Sequence, residues 1–193
     1  MTEKDRMMFQ CVAEFTDKMG IPIPGIPNGG MNMGLPEDSI TRRQVLLTEE
    51  YQEYCNSKFP HDAVDALCDI SYVAMGGIVE CTGGNEDIYD SITLGWNLDT
   101  DSADLGKYIE SYKHIAADSR VRTIIMCHRI IICCFALARE QLNIDADTLY
   151  KCFIIVHWAN MDKIGGKSDR NDIDAHKPEG WQPPDFGDLI YSD

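Results

Sequence analysis

Three glutamates crowded into five positions, in the stretch LLTEEYQEY, are the side chains whose type and spacing first suggest chemistry. Glu49, Glu50 and Glu53 fall within an arc of roughly 100° on a helix that turns about 100° per residue. A run of acids like this is most often a solvent-exposed helix face, and alone it indicates no more than that. It becomes a candidate metal site if a second group of acids lies against it.

A second acidic stripe follows directly along the chain. Asp62, Asp65 and Asp69 share an arc of roughly 60°, and beyond Asp69 the sequence ISYVAMGGIV is apolar on every side. A helix that is apolar all round is buried, so Asp69 stands where its helix enters the protein interior. Consecutive helices joined by a short link pack antiparallel, which lets the two acidic stripes face each other.

Carboxylates gathered in a partly dry space need a neutralising partner. They repel one another, and their charged forms are unfavourable to desolvate, so either protons or a divalent cation must join them. The two acidic stretches contain no His or Cys pattern of metal-binding spacing. A site made of carboxylate oxygens, with no His or Cys ligands, suits Mg²⁺, with Mn²⁺ as a substitute, rather than zinc.

The paired stretches also resemble a known motif. EEYQE followed closely by DALCDISYVAMG is similar to the EExxE and ExxD pair of the MazG-like all-α nucleoside triphosphate pyrophosphohydrolases. The branch resembled is the phosphoribosyl-ATP pyrophosphohydrolase-like one, which includes viral (bacteriophage) members. The segments GIPIP, VHWANMDK and KPEGWQPPD are similar to that branch too, so the resemblance covers roughly residues 5–83 and 120–187.

The resemblance implies an enzyme that uses Mg²⁺ to convert a (deoxy)nucleoside triphosphate to the monophosphate and pyrophosphate. The expected metal ligands are acids of the two stripes: Glu50, Glu53, Asp65 and Asp69. Asp65 is included because Ala66 stands where the second motif has its Glu, and Asp65 lies on the same helix face as Asp69. Glu49 is the expected catalytic residue, which binds a second ion or orients the attacking water.

Cationic and amide side chains near the C-terminus are expected to contact the phosphates. The candidates are Asn160, Lys163, Lys167, Arg170 and Lys177. Asn160 and Lys163 share a helix face, and the resemblance implies that both contact the nucleotide. The helix dipole alone also explains a lysine at a helix end. A tail packed only for stability is an equal alternative to one in which Lys177 approaches the phosphates.

Helical periodicity sets the fold that positions these residues. We predict helices over 3–19, 40–57, 61–82, 103–118, 120–142 and 145–163. No alternating pattern indicates a strand, so the fold class is all-α, an antiparallel helical bundle of the MazG-like type. We expect one domain over 1–193. Within it, 84–119 is an insertion with an irregular acidic stretch at 85–102, and 164–193 is a loop-rich tail.

Composition limits the partners and the compartment. The 193 residues include 17 Lys plus Arg and 32 Asp plus Glu, and the resulting net charge of -15 argues against a nucleic-acid polymer as partner. Eight cysteines without a CxxC motif, and a polar N-terminus, predict reduced thiols in a cytoplasmic protein, in the host cytoplasm if the source is viral. The apolar run TIIMCHRIIICCFALA is too short for a membrane span, so no membrane partner is expected.

Assembly and several alternatives remain open at this stage. We expect a homodimer or homotetramer, because the family assembles from helix pairs and so apolar a bundle would bury a face against a copy. One alternative is hydrolysis of phosphoribosyl-ATP. Another is a non-catalytic nucleotide- or partner-binding relative whose metal site Ala66 has impaired. A di-iron or di-manganese bundle usually needs Glu-x-x-His ligands, which the acidic helices lack. The base could be uracil, cytosine or guanine.

Overall fold

The computed structural model describes residues 2–27, 30–93, 102–165 and 179–191, which form seven α-helices and short 3₁₀ turns. The helices are α1 (Glu3–Lys18), α2 (Glu37–Asn56), α3 (Pro60–Thr82), α4 (Glu86–Thr93), α5 (Leu105–Asp118), α6 (Arg120–Leu142) and α7 (Ala146–Asp162). These ranges contain no strand. The prediction of an all-α fold is confirmed.

Helix α3 is the centre of the bundle. It packs against α1, α2, α6 and α7, and every residue from 70 to 82 except Val73 is buried. This confirms that the apolar stretch after Asp69 lies in the protein interior. Two adjacent glycines in this stretch let neighbouring side chains approach the helix axis: a Cβ at Gly77 would lie 2.9 Å from the Cys127 Sγ of α6.

Local sequence fixes the ends of the two acidic helices. α2 ends at Asn56 and α3 begins at Pro60, whose fixed φ suits the first turn of a helix. Only three residues join the two helices, so they pack antiparallel. α3 ends at Thr82, and the following residue, Gly83, adopts the left-handed conformation with φ of 63° that closes many helices.

Several predicted boundaries differ from the structure. α2 begins at Glu37 rather than at 40. Pro36 precedes the helix, and the positive end of the helix dipole stabilises the helix through Glu37 and Asp38 in the first turn. The stretch 85–102 was predicted to be irregular, but residues 86–93 form α4. The reason is tertiary: Tyr89 is fully buried, and its ring stacks on Phe9 of α1 with centroids 5.9 Å apart.

The predicted insertion, 84–119, contributes two helices to the bundle. α4 packs on α3 and α6, and α5 packs on α2 and α6. α5 begins at Leu105, preceded by a 3₁₀ turn over Ser102–Asp104, where a helix from 103 was predicted. Residues 94–101 lie outside the described residues.

Helix α6 contains the apolar run that the sequence predicted to be too short for a membrane. The whole helix has 23 residues and is long and apolar enough to cross one, by length and composition. About 56% of its most apolar stretch is buried inside the protein, and core helices commonly pass the same test. Helix length therefore does not exclude a membrane span, and the expectation of no membrane partner stays a prediction.

Candidate metal and nucleotide site

One cavity of about 240 Å³ lies along the seam between α2 and α3 and is bordered by α1 and α7. Glu50 of α2 and Asp69 of α3 line it. Arg43 and Gly76, each seven residues away on the same two helices, line it as well. Seven residues are two helical turns, about 10 Å, so the cavity has an acidic end and an arginine end.

At the acidic end, four carboxylates influence one another. Burial raises the pKa of Glu50 to about 8, and the charges of Asp69, Glu53 and Asp65 add to the effect. Burial also raises the pKa of Asp69 to about 7, helped by Asp65 and Glu53. We call these four residues the acidic cluster. All four predicted metal ligands thus lie within electrostatic reach of one another, as the two facing stripes predicted.

The members of the acidic cluster differ in exposure. Glu50, Asp65 and Asp69 are partly buried, whereas Glu53 is exposed at the edge of the cluster. Glu49 is also exposed and does not line the cavity. The structure therefore brings the predicted ligands together but leaves the predicted catalytic residue outside the cavity wall.

Asn160 and Lys163 complete the acidic end. Lys163 Nζ donates a hydrogen bond of 2.7 Å to Asn160 Oδ1, and the Asn160 side chain hydrogen-bonds to Asp69. The positive charge of Lys163 lowers the pKa of both Glu50 and Asp69, which opposes the effect of burial. The two residues predicted to contact phosphates therefore stand directly against the acids predicted to bind metal.

The C-terminal tail holds Lys163 in place. Trp181 Nε1 donates a hydrogen bond of 3.0 Å to the carbonyl of Ala159 in α7. Lys163 Nζ lies 5.0 Å from the centroid of the Trp181 ring, within the range of a cation–π contact. The other tail residues predicted to bind substrate, Lys167, Arg170 and Lys177, lie outside the described residues, and their roles stay predictions.

The acids suit a divalent cation without forming a finished site. No three His, Cys, Asp or Glu side chains in the described ranges are gathered as a ready set of metal ligands. Mg²⁺ is usually held by one or two carboxylates, several waters and the phosphates of the substrate. Glu50 and Asp69 can supply that minimum from within the cavity.

The middle of the cavity is apolar and aromatic. Phe15 of α1 and Tyr72 of α3 line it, with ring centroids 5.7 Å apart and an interplanar angle of 81°. The hydroxyl of Tyr72 is 3.0 Å from Nδ1 of buried His157. Burial lowers the pKa of His157. The Tyr72 hydroxyl therefore has its polar partner behind the wall, and the wall offers ring surface to a ligand.

The arginine end is the part of the site that sequence reasoning missed. Arg42 and Arg43 both donate to the same oxygen of Glu80, at 2.5 Å and 2.6 Å, and Arg43 Nη1 also donates to Val73 O at 2.8 Å. Glu80 is completely buried. A glutamate inside a helix that is apolar all round demands a charged partner. Glu80 in the stretch GGIVECT was therefore the signal that could have found this end.

Comparison with known proteins returns no match: no protein-family model, no curated protein sequence and no solved structure matches the chain.

Proposed function

We propose that this protein is a Mg²⁺-dependent nucleoside triphosphate pyrophosphohydrolase with a bundle of the MazG-like type. It would convert a (deoxy)nucleoside triphosphate to the monophosphate and pyrophosphate. The observation that carries the proposal is the meeting of acids from α2 and α3 at one end of a cavity, beside Asn160 and Lys163. Which phosphate bond is cleaved is inferred from the resemblance to the MazG-like enzymes.

The acidic cluster would hold Mg²⁺, with Mn²⁺ as a substitute. A divalent cation there would lower the pKa of the attacking water, polarise the phosphoryl group and offset the charge of the triphosphate. The raised pKa values of Glu50 and Asp69 mean that, near neutral pH without metal, these side chains retain protons that a cation would displace. Metal binding is therefore expected to strengthen as the pH rises.

Lys163 would place a positive charge against the phosphates. A lysine ammonium acts as a point charge with three donors, and here Asn160 and Trp181 limit its movement. Fixed charges of this kind stabilise the charge that develops on phosphoryl oxygens without reorganising during the reaction. Glu49 is proposed, from the resemblance, to bind a second ion or to orient the attacking water.

The aromatic wall suits a nucleobase. A base is a flat ring that gains free energy by contact with aromatic side chains, and Phe15 and Tyr72 provide such surfaces beside the acidic end. With its triphosphate at the acidic cluster, a nucleotide would place its base along this wall.

The homodimer or homotetramer, the cytoplasmic location and the absence of nucleic-acid and membrane partners belong to the same proposal.

A binding protein without activity is the second candidate. It is favoured by Ala66, which replaces an expected acid and is buried, and by the lack of a gathered ligand set in the described ranges. Such a protein would bind nucleotide through the cavity without hydrolysing it. Hydrolysis of phosphoribosyl-ATP is a further alternative within the enzymes.

Incubation with a panel of substrates tests the proposal. The panel holds all common ribo- and deoxyribonucleoside triphosphates together with phosphoribosyl-ATP, each with Mg²⁺, and the products are separated by chromatography. Monophosphate and pyrophosphate from at least one triphosphate, lost in Asp69→Asn and retained in the exposed control Glu110→Gln, would support the proposal. Diphosphate and phosphate would contradict the predicted bond. No product, with no Mg²⁺-dependent stabilisation, would favour the binding protein.

A further inference from the structure

The geometry points to base selection at the arginine end: we propose that Arg42 and Arg43 favour nucleobases with a carbonyl oxygen at C4 of a pyrimidine or at C6 of a purine, as in uracil, thymine and guanine. Cytosine and adenine, which present an amino group at the corresponding position, are disfavoured. The inference rests on the proposed function for the direction in which the nucleotide lies. It adds the class of base, which the sequence left open.

The distance between the two ends suits the two parts of a nucleotide. Arg43 and Glu50 lie on the same face of α2, seven residues and about 10 Å apart along the helix. On α3, Gly76 lies seven residues beyond Asp69, also about 10 Å, and Glu80 lies one helical turn further. With the phosphates at the acidic cluster, the base reaches along the aromatic wall towards the arginines.

The arginine end is a built site rather than a mobile surface pair. The Glu80 carboxylate binds both guanidinium groups from a completely buried position, and Arg43 is itself almost fully buried. Gly76 makes room for Arg43, because a Cβ at position 76 would lie 2.3 Å from Arg43 Nη1. The guanidinium groups therefore hold a fixed orientation before any ligand arrives.

These two side chains can donate hydrogen bonds but cannot accept them. A guanidinium has five N–H bonds and no acceptor. Within the described residues, Arg42 uses its Nη2 for Glu80 and has no other hydrogen-bond partner, and its side chain is about one-fifth exposed at the cavity. In the same ranges, Arg43 Nε and Glu80 Oε2 also lack partners but are sealed from the cavity, so the open donors are those of Arg42. A base carbonyl would supply the missing acceptor. An amino group would face donors with another donor, which leaves both unsatisfied.

The surroundings favour a base over phosphate at this end. Glu80 neutralises one of the two positive charges, and the adjoining walls include Leu46, Val73 and the ring of Tyr72. A triphosphate would bring several negative charges next to these apolar side chains and close to buried Glu80. A base brings a neutral ring with an acceptor on its edge, which fits both the walls and the donors.

Equilibrium binding of nucleoside monophosphates tests the proposal without requiring catalysis. Titration calorimetry with dUMP, dCMP, dGMP and dAMP gives two ratios of affinity, dUMP over dCMP and dGMP over dAMP. In the wild-type protein we expect at least one ratio to be about tenfold or more, since hydrogen bonds to charged groups are worth that much. Equal binding of all four, tighter binding of dCMP and dAMP, or no binding of any would overturn the proposal.

Variants of Arg42 separate selection from mere stability. Arg42→Gln should reduce the favoured ratio several-fold, and Arg42→Lys should reduce it too because the ammonium lacks the planar fork. The exposed control Arg122→Gln should keep the wild-type ratio. A purely structural role would weaken all four ligands together, so an unchanged ratio in both Arg42 variants would overturn the proposal. If Arg42→Gln does not fold, Arg42→Lys decides.

Two further outcomes distinguish the possible errors. If Arg42→Gln loses binding of inorganic pyrophosphate while the base ratio stays, the arginines hold phosphates and the proposal is wrong. Equal hydrolysis of all triphosphates by the wild-type enzyme, with equal binding of the monophosphates, would retain the proposed function and refute base selection. Selective binding without hydrolysis would retain base selection and refute the enzyme.

Discussion

Replacing Glu50 by Gln is expected to remove much of the pH dependence that the acidic cluster gives to the stability of the metal-free protein. The pKa of Glu50 is raised from 4.5 to about 8 by burial and by its acidic neighbours. The folded protein therefore keeps a proton that the unfolded chain has already released. The contribution of this retained proton to the free energy of unfolding is fully present below about pH 4.5 and is lost as the pH rises through 8.

The size of the effect follows from the same two values. A change in pKa from 4.5 to about 8 corresponds to at most ~5 kcal/mol, at 1.36 kcal/mol for each pH unit. Glu50 keeps part of its surface in water and shares its repulsion with Asp69, so we expect a smaller contribution of about 1–3 kcal/mol. Because Gln cannot ionise, the Glu50→Gln variant should lack this pH-dependent contribution to the free energy of unfolding between about pH 5 and pH 9.

Urea denaturation in EDTA, at intervals from pH 5 to pH 9, measures the effect. Wild type and the exposed control Glu110→Gln should lose about 1–3 kcal/mol more free energy of unfolding over this range than Glu50→Gln. Mg²⁺ added at pH 8 should increase the free energy of unfolding of wild type and of the control more than that of Glu50→Gln. If the metal-free wild type became more stable towards pH 9, or all three proteins lost stability equally, the reasoning about buried, mutually repelling acids would be refuted.

Substitutions at three further positions test other parts of the site. Glu53→Gln should abolish pyrophosphate release without shifting the thermal midpoint seen by circular dichroism; undiminished activity would remove Glu53 from the site. Gly76→Ala drives a Cβ to 2.3 Å from Arg43 Nη1, so urea denaturation should show a loss of about 1–3 kcal/mol, and wild-type stability would argue against this packing. Trp181→Ala should raise the KM for triphosphate several-fold, and Trp181→Phe, which keeps a ring near Lys163, should raise it less. Equal KM values in both variants would contradict the role of the ring.

The convergence of the acids could be predicted because it depends on local pattern. Spacings of three and four residues put Glu50 with Glu53, and Asp65 with Asp69, on single helix faces. The three-residue link between α2 and α3 then leaves antiparallel packing as the simple solution. Each step uses residues that are near one another in sequence, so the sequence alone was sufficient.

The parts that were missed depend on contacts between distant residues. Arg43 and Glu80 meet because α2 and α3 are antiparallel. Glu80 in an apolar helix indicates that a charged partner exists, but its sequence neighbours do not identify Arg43 as that partner. α4 was predicted to be irregular because its sequence is acidic and polar. Its helix is supported by Tyr89, which stacks on Phe9 and whose hydroxyl lies 2.7 Å from Nδ1 of His128. Such tertiary support overrides weak local propensity.

Binding of Mn²⁺, followed by the electron paramagnetic resonance signal of the free ion at pH 8, tests most directly whether acids of α2 and α3 share a divalent cation. Wild type and Glu110→Gln should bind Mn²⁺ saturably and release it to excess Mg²⁺, and Asp69→Asn should weaken the binding at least tenfold. The absence of saturable binding to the wild type, or equal binding by Asp69→Asn, would contradict the account.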